Sequence, residues 1–230
     1  MNFVRLIESS YSETGTTSKD LQDFFASLQQ LSAFSEIDRA GGLIFPLDRQ
    51  QDDTEFLKKL SQTFELHKLD INSIALHSVA NPFKTEEEFW ALLRHEAAQD
   101  SLQALFDRTT MAGSWQLIPD RKLQQLTVRL ENVMGDAIRP SLDGNLNFDF
   151  NQSVRLTAND ASGSACVLTL EPREVVEFRS IDNAGHYVLY VKDDQWFRHD
   201  DHKVQALDQM PAIPNVRMIN FAITKSEPAS

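Results

Sequence analysis

The spacing of apolar side chains changes along the chain. Early on they recur three and four apart: Leu21, Phe24, Phe25, Leu28 and Leu31 make one stripe, the signature of a helix burying one face. Thr17-Ser18-Lys19-Asp20 just ahead resembles a capping box, with a hydroxyl for a free backbone N–H and an acid three residues on. After a loop with Gly41, Gly42 and Pro46, Gln50-Gln51-Asp52-Asp53-Thr54-Glu55 opens a second stripe of Phe56, Leu57, Leu60 and Phe64. Acids in that first turn suit the positive end of the helix dipole. Thr85-Glu86-Glu87-Glu88 then heads Phe89, Trp90, Leu93, Leu102, Leu105 and Phe106, which predicts one helix broken near Asp100-Ser101, or two.

From Trp115 onward the period falls to two. Leu123 to Leu130 alternates, and strand-like runs follow at Leu146–Phe150, Val154–Leu156, Cys166–Leu170, Val175–Phe178 and His186–Val191. Between them stand the turn residues Asp143-Gly144-Asn145, Asn159-Asp160, Ser162-Gly163 and Asn183-Ala184-Gly185. Helices first and a mainly antiparallel sheet after them predict an α+β fold.

Composition narrows the function classes. The chain has 230 residues, 41% hydrophobic and 24% charged, enough to bury a core. Its net charge of −12 offers no basic stripe to neutralise phosphates, which argues against nucleic acid and anionic membrane as partners and allows one with a basic face. The single cysteine, Cys166, excludes a disulfide framework and a Cys-rich zinc site and fits a reducing compartment such as the cytoplasm. The start, Met1 to Ile7, carries Arg5 within its short apolar stretch and does not read as a signal peptide. Nowhere do about 18 apolar residues run together, so a soluble protein is expected.

The densest chemical signal is Gly185-His186-Tyr187-Val188-Leu189-Tyr190-Val191, a polar turn over Lys192 to Gln195, and Trp196-Phe197-Arg198-His199-Asp200-Asp201. Two β-prone runs about a polar turn predict a hairpin. With the turn centred near Asp193-Asp194, Tyr187 falls opposite Asp200, and His186 comes within reach of Asp200 or Asp201. A histidine beside a carboxylate is the orienting half of a nucleophilic triad, because the carboxylate fixes the tautomer and stabilises imidazolium. Gly185 leaves room for a substrate backbone to approach. A solvated hairpin with a His at one end and acids at the other has the same sequence.

Gly185-His186-Tyr187-x-x-Tyr190 with Trp196-Phe197 and Asp200-Asp201 resembles the histidine box of the ubiquitin-specific proteases, papain-like cysteine peptidases that remove ubiquitin. The resemblance implies His186 as general base, Asp200 as its orienter and Asp201 as the neighbouring acid of the box. Gln50-Gln51-Asp52-Asp53-Thr54-Glu55-Phe56-Leu57 is similar to the family's glutamine-aspartate box, whose acids face the arginine-containing tail of ubiquitin. Asp52 and Glu55, three apart, are neighbours on one helical face and can pair with a guanidinium; they equally suit an ordinary helix start. Leu123–Leu130 and Leu146–Phe150 resemble the family's β-rich subdomain, and the order of the three matches is the family's own. The likeness covers roughly residues 15 to 205.

The resemblance implies a papain-like ubiquitin-specific-protease fold in one domain: a helical thumb-like lobe over 1–80, a helical insert in place of fingers over 81–114, and a β-rich palm-like lobe over 115–230. It implies ubiquitin or a ubiquitin-like protein as partner, with Asp52, Glu55, Gly185 and Trp196 at the ubiquitin tail, and isopeptide hydrolysis by a cysteine thiolate. The family's Gly-Asn-Thr-Cys box has no counterpart here. Three readings follow: a catalytically dead ubiquitin-binding scaffold, a fragment whose cysteine segment lies elsewhere, or an enzyme using Cys166. Ser164-Ala165-Cys166-Val167-Leu168 reads as a strand start, unlike the helix N-terminus beside a cation that stabilises a thiolate. No Cys-x-x-Cys pair is present in the finger position. His199 and His202 alternate around acids on a strand and do not converge as helical ligands do. No metal and no cofactor are expected.

Overall fold

Ser101 begins the one helix seen among the described residues. The computed structural model describes residues 74–78, 91–95, 101–117, 125–134, 137–139, 148–160, 162–181, 184–200 and 203–229. The chain divides into two compact units, Met1–Asp70 and Ile71–Ser230, and the described residues all belong to the second. Helix α1, Leu102–Ala112, starts where the sequence predicts a break: the Ser101 hydroxyl accepts from the N–H of Ala104 at 3.1 Å, filling a donor the first turn leaves open.

Among the described residues eleven strands form a single sheet: β1 (Ile74–Ser78), β2 (Ala91–His95), β3 (Gly113–Leu117), β4 (Gln125–Met134), β5 (Ala137–Arg139), β6 (Val154–Asn159), β7 (Ala165–Ile181), β8 (Ala184–Lys192), β9 (Trp196–Asp200), β10 (Lys203–Leu207) and β11 (Val216–Pro228). Neighbours run in the order β1-β3-β6-β7-β11-β4-β2, while β8, β9 and β10 branch from β7 and β5 lies against β4. Pairing is antiparallel except for β2 with β4 and β3 with β6.

These elements correct the expected architecture. The α+β arrangement of a helical lobe followed by a β lobe, drawn from the apolar spacing and from the papain-like resemblance, is replaced over the described residues by a predominantly β structure. Strand β1 lies in the stretch assigned to the helical lobe, and β2 occupies part of the third predicted helix. Ala91-Leu92-Leu93-Arg94-His95 contains good helix formers, but propensity is worth only tenths of a kcal/mol per residue. Parallel pairing of Ala91–His95 with Val128–Asn132 gives their backbone groups partners and outweighs it. The helices predicted over residues 17–31 and 50–64 lie outside the described residues.

Two further expectations change within the sheet. Cys166–Leu170 and Val175–Phe178 are parts of one strand, β7, which passes through Pro172. Asn220 pairs with Glu174 and Phe221 with Pro172, so the register shifts there; a bulge is where a strand tolerates the missing proline N–H. The described part of the strand expected over Leu146–Phe150 is a turn. Asp149 accepts the Asn151 N–H at 3.0 Å and the Gln152 side-chain amide at 2.8 Å, as aspartates in turns do. The alternation arises because Phe148 and Phe150, on either side, bury as an edge-to-face pair with centroids 6.0 Å apart.

The core lies on one face of the sheet, under α1. Phe106 meets Phe221 of β11 edge to face at 5.5 Å and Trp115 at 5.9 Å. Around them Leu126, Val128, Leu168, Leu170, Val175 and Ile219 are buried. Gln103 of α1 fastens the helix to β6: its amide donates to the Arg155 carbonyl and accepts the Arg155 N–H, both at 2.8 Å. That covers backbone groups which an open sheet edge would expose.

Candidate functional site

Strands β8 and β9 are joined by Asp193, Asp194 and Gln195, and their register pairs Lys192 with Trp196, Val191 with Phe197, Tyr190 with Arg198 and Leu189 with His199. A three-residue connection centres the hairpin on Asp194, not between Asp193 and Asp194 as the sequence reading assumed. This half-step matters because side chains alternate faces. Under the assumed register His186 would share a face with Asp201. The observed one, continued by a residue, sets Asp200 across from Val188, so His186 becomes its diagonal neighbour on the same face.

The contact follows from that placement. His186 Nε2 lies 2.5 Å from Asp200 Oδ1, with both side chains about three-quarters covered. The hydrogen bond from His186, with the charge of Arg198 beside it, holds the Asp200 carboxyl below the usual carboxylate range. An ionised Asp200 only accepts, so Nε2 carries the hydrogen and Nδ1 of neutral His186 keeps a lone pair. The pair can therefore take up a proton at Nδ1 while Asp200 stabilises the resulting imidazolium.

The same face carries more polar groups than the sequence reading found. Strand β7 pairs antiparallel with β8, Arg179 opposite His186, Glu177 opposite Val188 and Val175 opposite Tyr190. Glu177, 2% exposed, accepts from Arg179 Nη2 at 2.7 Å and from the Tyr190 hydroxyl at 2.9 Å. Arg179 Nη2 also donates to the Tyr190 oxygen at 3.2 Å. Burial and the negative charge of Glu177 push the Tyr190 phenol up to about 12, so this hydroxyl stays protonated. On β9 Arg198 donates to the second oxygen of Asp200. Glu177-x-Arg179 and Arg198-x-Asp200 are opposite charges two apart; in strands they share a face, and that signal was available in the sequence.

The remaining predicted residues divide. Gly185 is in β8, its backbone paired with Ser180. Trp196 is buried, its indole N–H donating to Asn151 Oδ1 at 3.0 Å and Lys192 lying over its ring at 5.8 Å, so it holds the hairpin to the loop before β6. Asp201, Asp52 and Glu55 lie outside the described residues. Cys166 is buried near the start of β7, between Ala158 of β6 and Pro228 of β11. His186 pairs near the other end of β7, on the order of 40 Å of strand away at about 3.3 Å per residue, so the structure does not bring this thiol to His186. Among the described residues no three His, Cys, Asp or Glu side chains are placed to hold a metal ion, and no helix is long and apolar enough to cross a membrane.

Neither protein-family models nor curated proteins match the chain. Solved structures do. A chain of the Ubp8-Sgf11-Sgf73-Sus1 SAGA DUB module superposes with a TM-score of 0.56 at 14% identity, over 97% of this chain and 64% of that one. A chain of the SAGA Ubp8/Sgf11/Sus1/Sgf73 DUB module bound to ubiquitin aldehyde does so with a TM-score of 0.54 at 13% identity, over the same shares. The likeness is one of fold, and this chain spans about 64% of the length of those it matches.

Proposed function

We propose that this chain is a relative of the ubiquitin-specific proteases that recognises ubiquitin or a ubiquitin-like protein and carries the base and orienter of a thiol-dependent deubiquitinase site. One observation carries the reading: His186 Nε2 on Asp200 Oδ1 at 2.5 Å, in a fold similar to that of a chain of a DUB module bound to ubiquitin aldehyde. In the complete chemistry His186 Nδ1 takes the proton of a cysteine thiol and the thiolate attacks the carbonyl of the isopeptide. The imidazolium then returns that proton to the departing amine. Asp200 orients the ring throughout, and Gly185, lacking a side chain, leaves room for the ubiquitin tail.

The buried position of Cys166 favours a second form of the same reading, a ubiquitin-binding scaffold without turnover. The chain by itself then binds and does not cleave, and it works in the cytoplasm, where a free thiol stays reduced. The resemblance of Gln50 to Leu57 to the glutamine-aspartate box assigns Asp52 and Glu55 to pairing with the arginine-containing tail of ubiquitin.

Fluorescence anisotropy with labelled ubiquitin and turnover of a fluorogenic ubiquitin substrate test both parts. Binding without turnover is expected, with about tenfold weaker binding in Asp52→Lys/Glu55→Lys, as for loss of a charge-assisted pair. Absence of binding to ubiquitin and to ubiquitin-like proteins would overturn the reading. Turnover abolished by Cys166→Ala would overturn the assignment of Cys166 to the core.

A further inference from the structure

A carboxylate has two oxygens, and the structure gives those of Asp200 to different partners. Oδ1 meets His186 Nε2, and Oδ2 takes Nη2 of Arg198. Arg198 stands two residues before Asp200 on β9 and opposite Tyr190 on β8, so it lies on the face that carries the pair. Its side chain is 27% exposed. Its Nε is buried with no hydrogen-bond partner, a state that costs free energy a solvated guanidinium avoids. The contact with Asp200 is what this partly desolvated cation gains.

We propose that Arg198 is a positioning residue of the His186–Asp200 pair: by holding one carboxylate oxygen it fixes the other on Nε2, and by sharing the negative charge it limits how tightly His186 holds a second proton. The proposal rests on the reading of His186 as a base, but its direct consequence is a proton equilibrium that does not depend on ubiquitin. Among the described residues the charged and titratable groups on this face are few. Strand β8 contributes Lys192 at its far end, lying over the Trp196 ring. Strand β7 contributes Glu177 and Arg179, already tied to each other and to Tyr190 of β8. Strand β9 contributes Arg198, and β10 contributes Lys203, exposed and registered opposite Asp200. His199 alternates to the other face. Arg198 is thus the cation in direct contact with Asp200. Without it only the charge of Arg179, held by Glu177, still offsets the carboxylate, and more of the negative charge faces the imidazole, which favours imidazolium.

The sign follows. Replacing Arg198 by a neutral residue raises the pH at which His186 loses its second proton, whereas a merely structural role leaves that midpoint in place. The test is an NMR titration of the imidazole resonances of the full chain, with His186→Gln identifying His186 among the six histidines. In Arg198→Gln the midpoint is expected to rise by about half a pH unit or more. Arg198→Met keeps the apolar stem and serves the same purpose if the Gln variant does not fold. Arg198→Lys restores the charge and should recover at least half of the shift. In an Asp200→Asn background, Arg198→Gln should lose most of its effect. An unchanged or lowered midpoint in the neutral variants overturns the proposal, as does a shift that survives in Asp200→Asn. Loss of ubiquitin binding in the unmodified chain would strike the functional reading and leave this proton measurement standing.

Discussion

The two ends of β7 place similar raw material in opposite surroundings. At its start Cys166 pairs with Ala158 and Pro228, and Leu156, Leu168 and Leu170 are buried nearby. Toward its end Glu177 and Arg179 line a face shared with Tyr190, His186, Arg198 and Asp200. A thiol gains nucleophilicity from a nearby cation or helix N-terminus, and the first end is a strand packed among apolar side chains. There the sulfur is a small packing group. At the other end an imidazole meets an ionised carboxylate, which fixes the orientation of the ring. The comparison teaches that neighbours on a sheet face, more than residue type, decide which side chain is packed away and which is placed in a polar cluster.

The comparison can be broken first at its apolar end. Leu168→Ala removes a fully buried side chain and is expected to destabilise the chain by about 3 kcal/mol, within the 2–5 kcal/mol typical of such truncations. Urea unfolding measures it, and a loss below about 1 kcal/mol would contradict a packed core there.

Glu174, midway along β7 and on its other face, sharpens the picture by pH. Burial pushes its carboxyl up to about 7, against a hydrogen bond from Asn220 that pulls it down. The folded chain therefore binds this proton more tightly than the unfolded chain does. Stability contributed by the protonated form is complete below about pH 4.5 and is lost as pH rises through about 7. Glu174→Gln should match the parent at pH 4 and exceed it at pH 8 by on the order of 2 kcal/mol. Equal differences at both pH values would contradict the raised Glu174 carboxyl.

Cys166→Ala has the smallest expected effect, about 1 kcal/mol of stability, with ubiquitin affinity unchanged. A severalfold loss of affinity would mean that the thiol end takes part in binding.

Parts of this arrangement were legible in the sequence because local chemistry decides them. The polar Lys192–Gln195 segment between β-prone runs marks the hairpin, and Ser101 marks the start of α1. Asn159-Asp160 and Ser162-Gly163 mark the turn before β7, where Asp160 accepts the N–H groups of Ser162 and Ser164 and Gly163 takes a positive φ of 82°, open to glycine without strain. The distant pairings were not legible. Strand β2 reads as helix until β4 supplies its partner, and β7 reads as two strands until a bulge against β11 absorbs Pro172. The C-terminal strand β11 is not among the expected strands, although Val216-Arg217-Met218-Ile219-Asn220-Phe221-Ala222-Ile223 is rich in β-prone residues. In the site, the choice between Asp200 and Asp201 hung on a one-residue register that three loop residues determine. Glu177-x-Arg179 and Arg198-x-Asp200 mark same-face charge pairs in the sequence, but only the alignment of β7, β8 and β9 brings them onto one face with His186.

The central claim is that the His186–Asp200 face receives the ubiquitin tail, and residue-by-residue chemical-shift mapping of the isotope-labelled chain tests it most directly. Intact ubiquitin is predicted to perturb amides from Gly185 to Val188 and from Arg198 to Asp200, and ubiquitin lacking its C-terminal tail should leave them largely unmoved. Perturbations confined to other strands, or equal responses to the two ligands, would contradict the account.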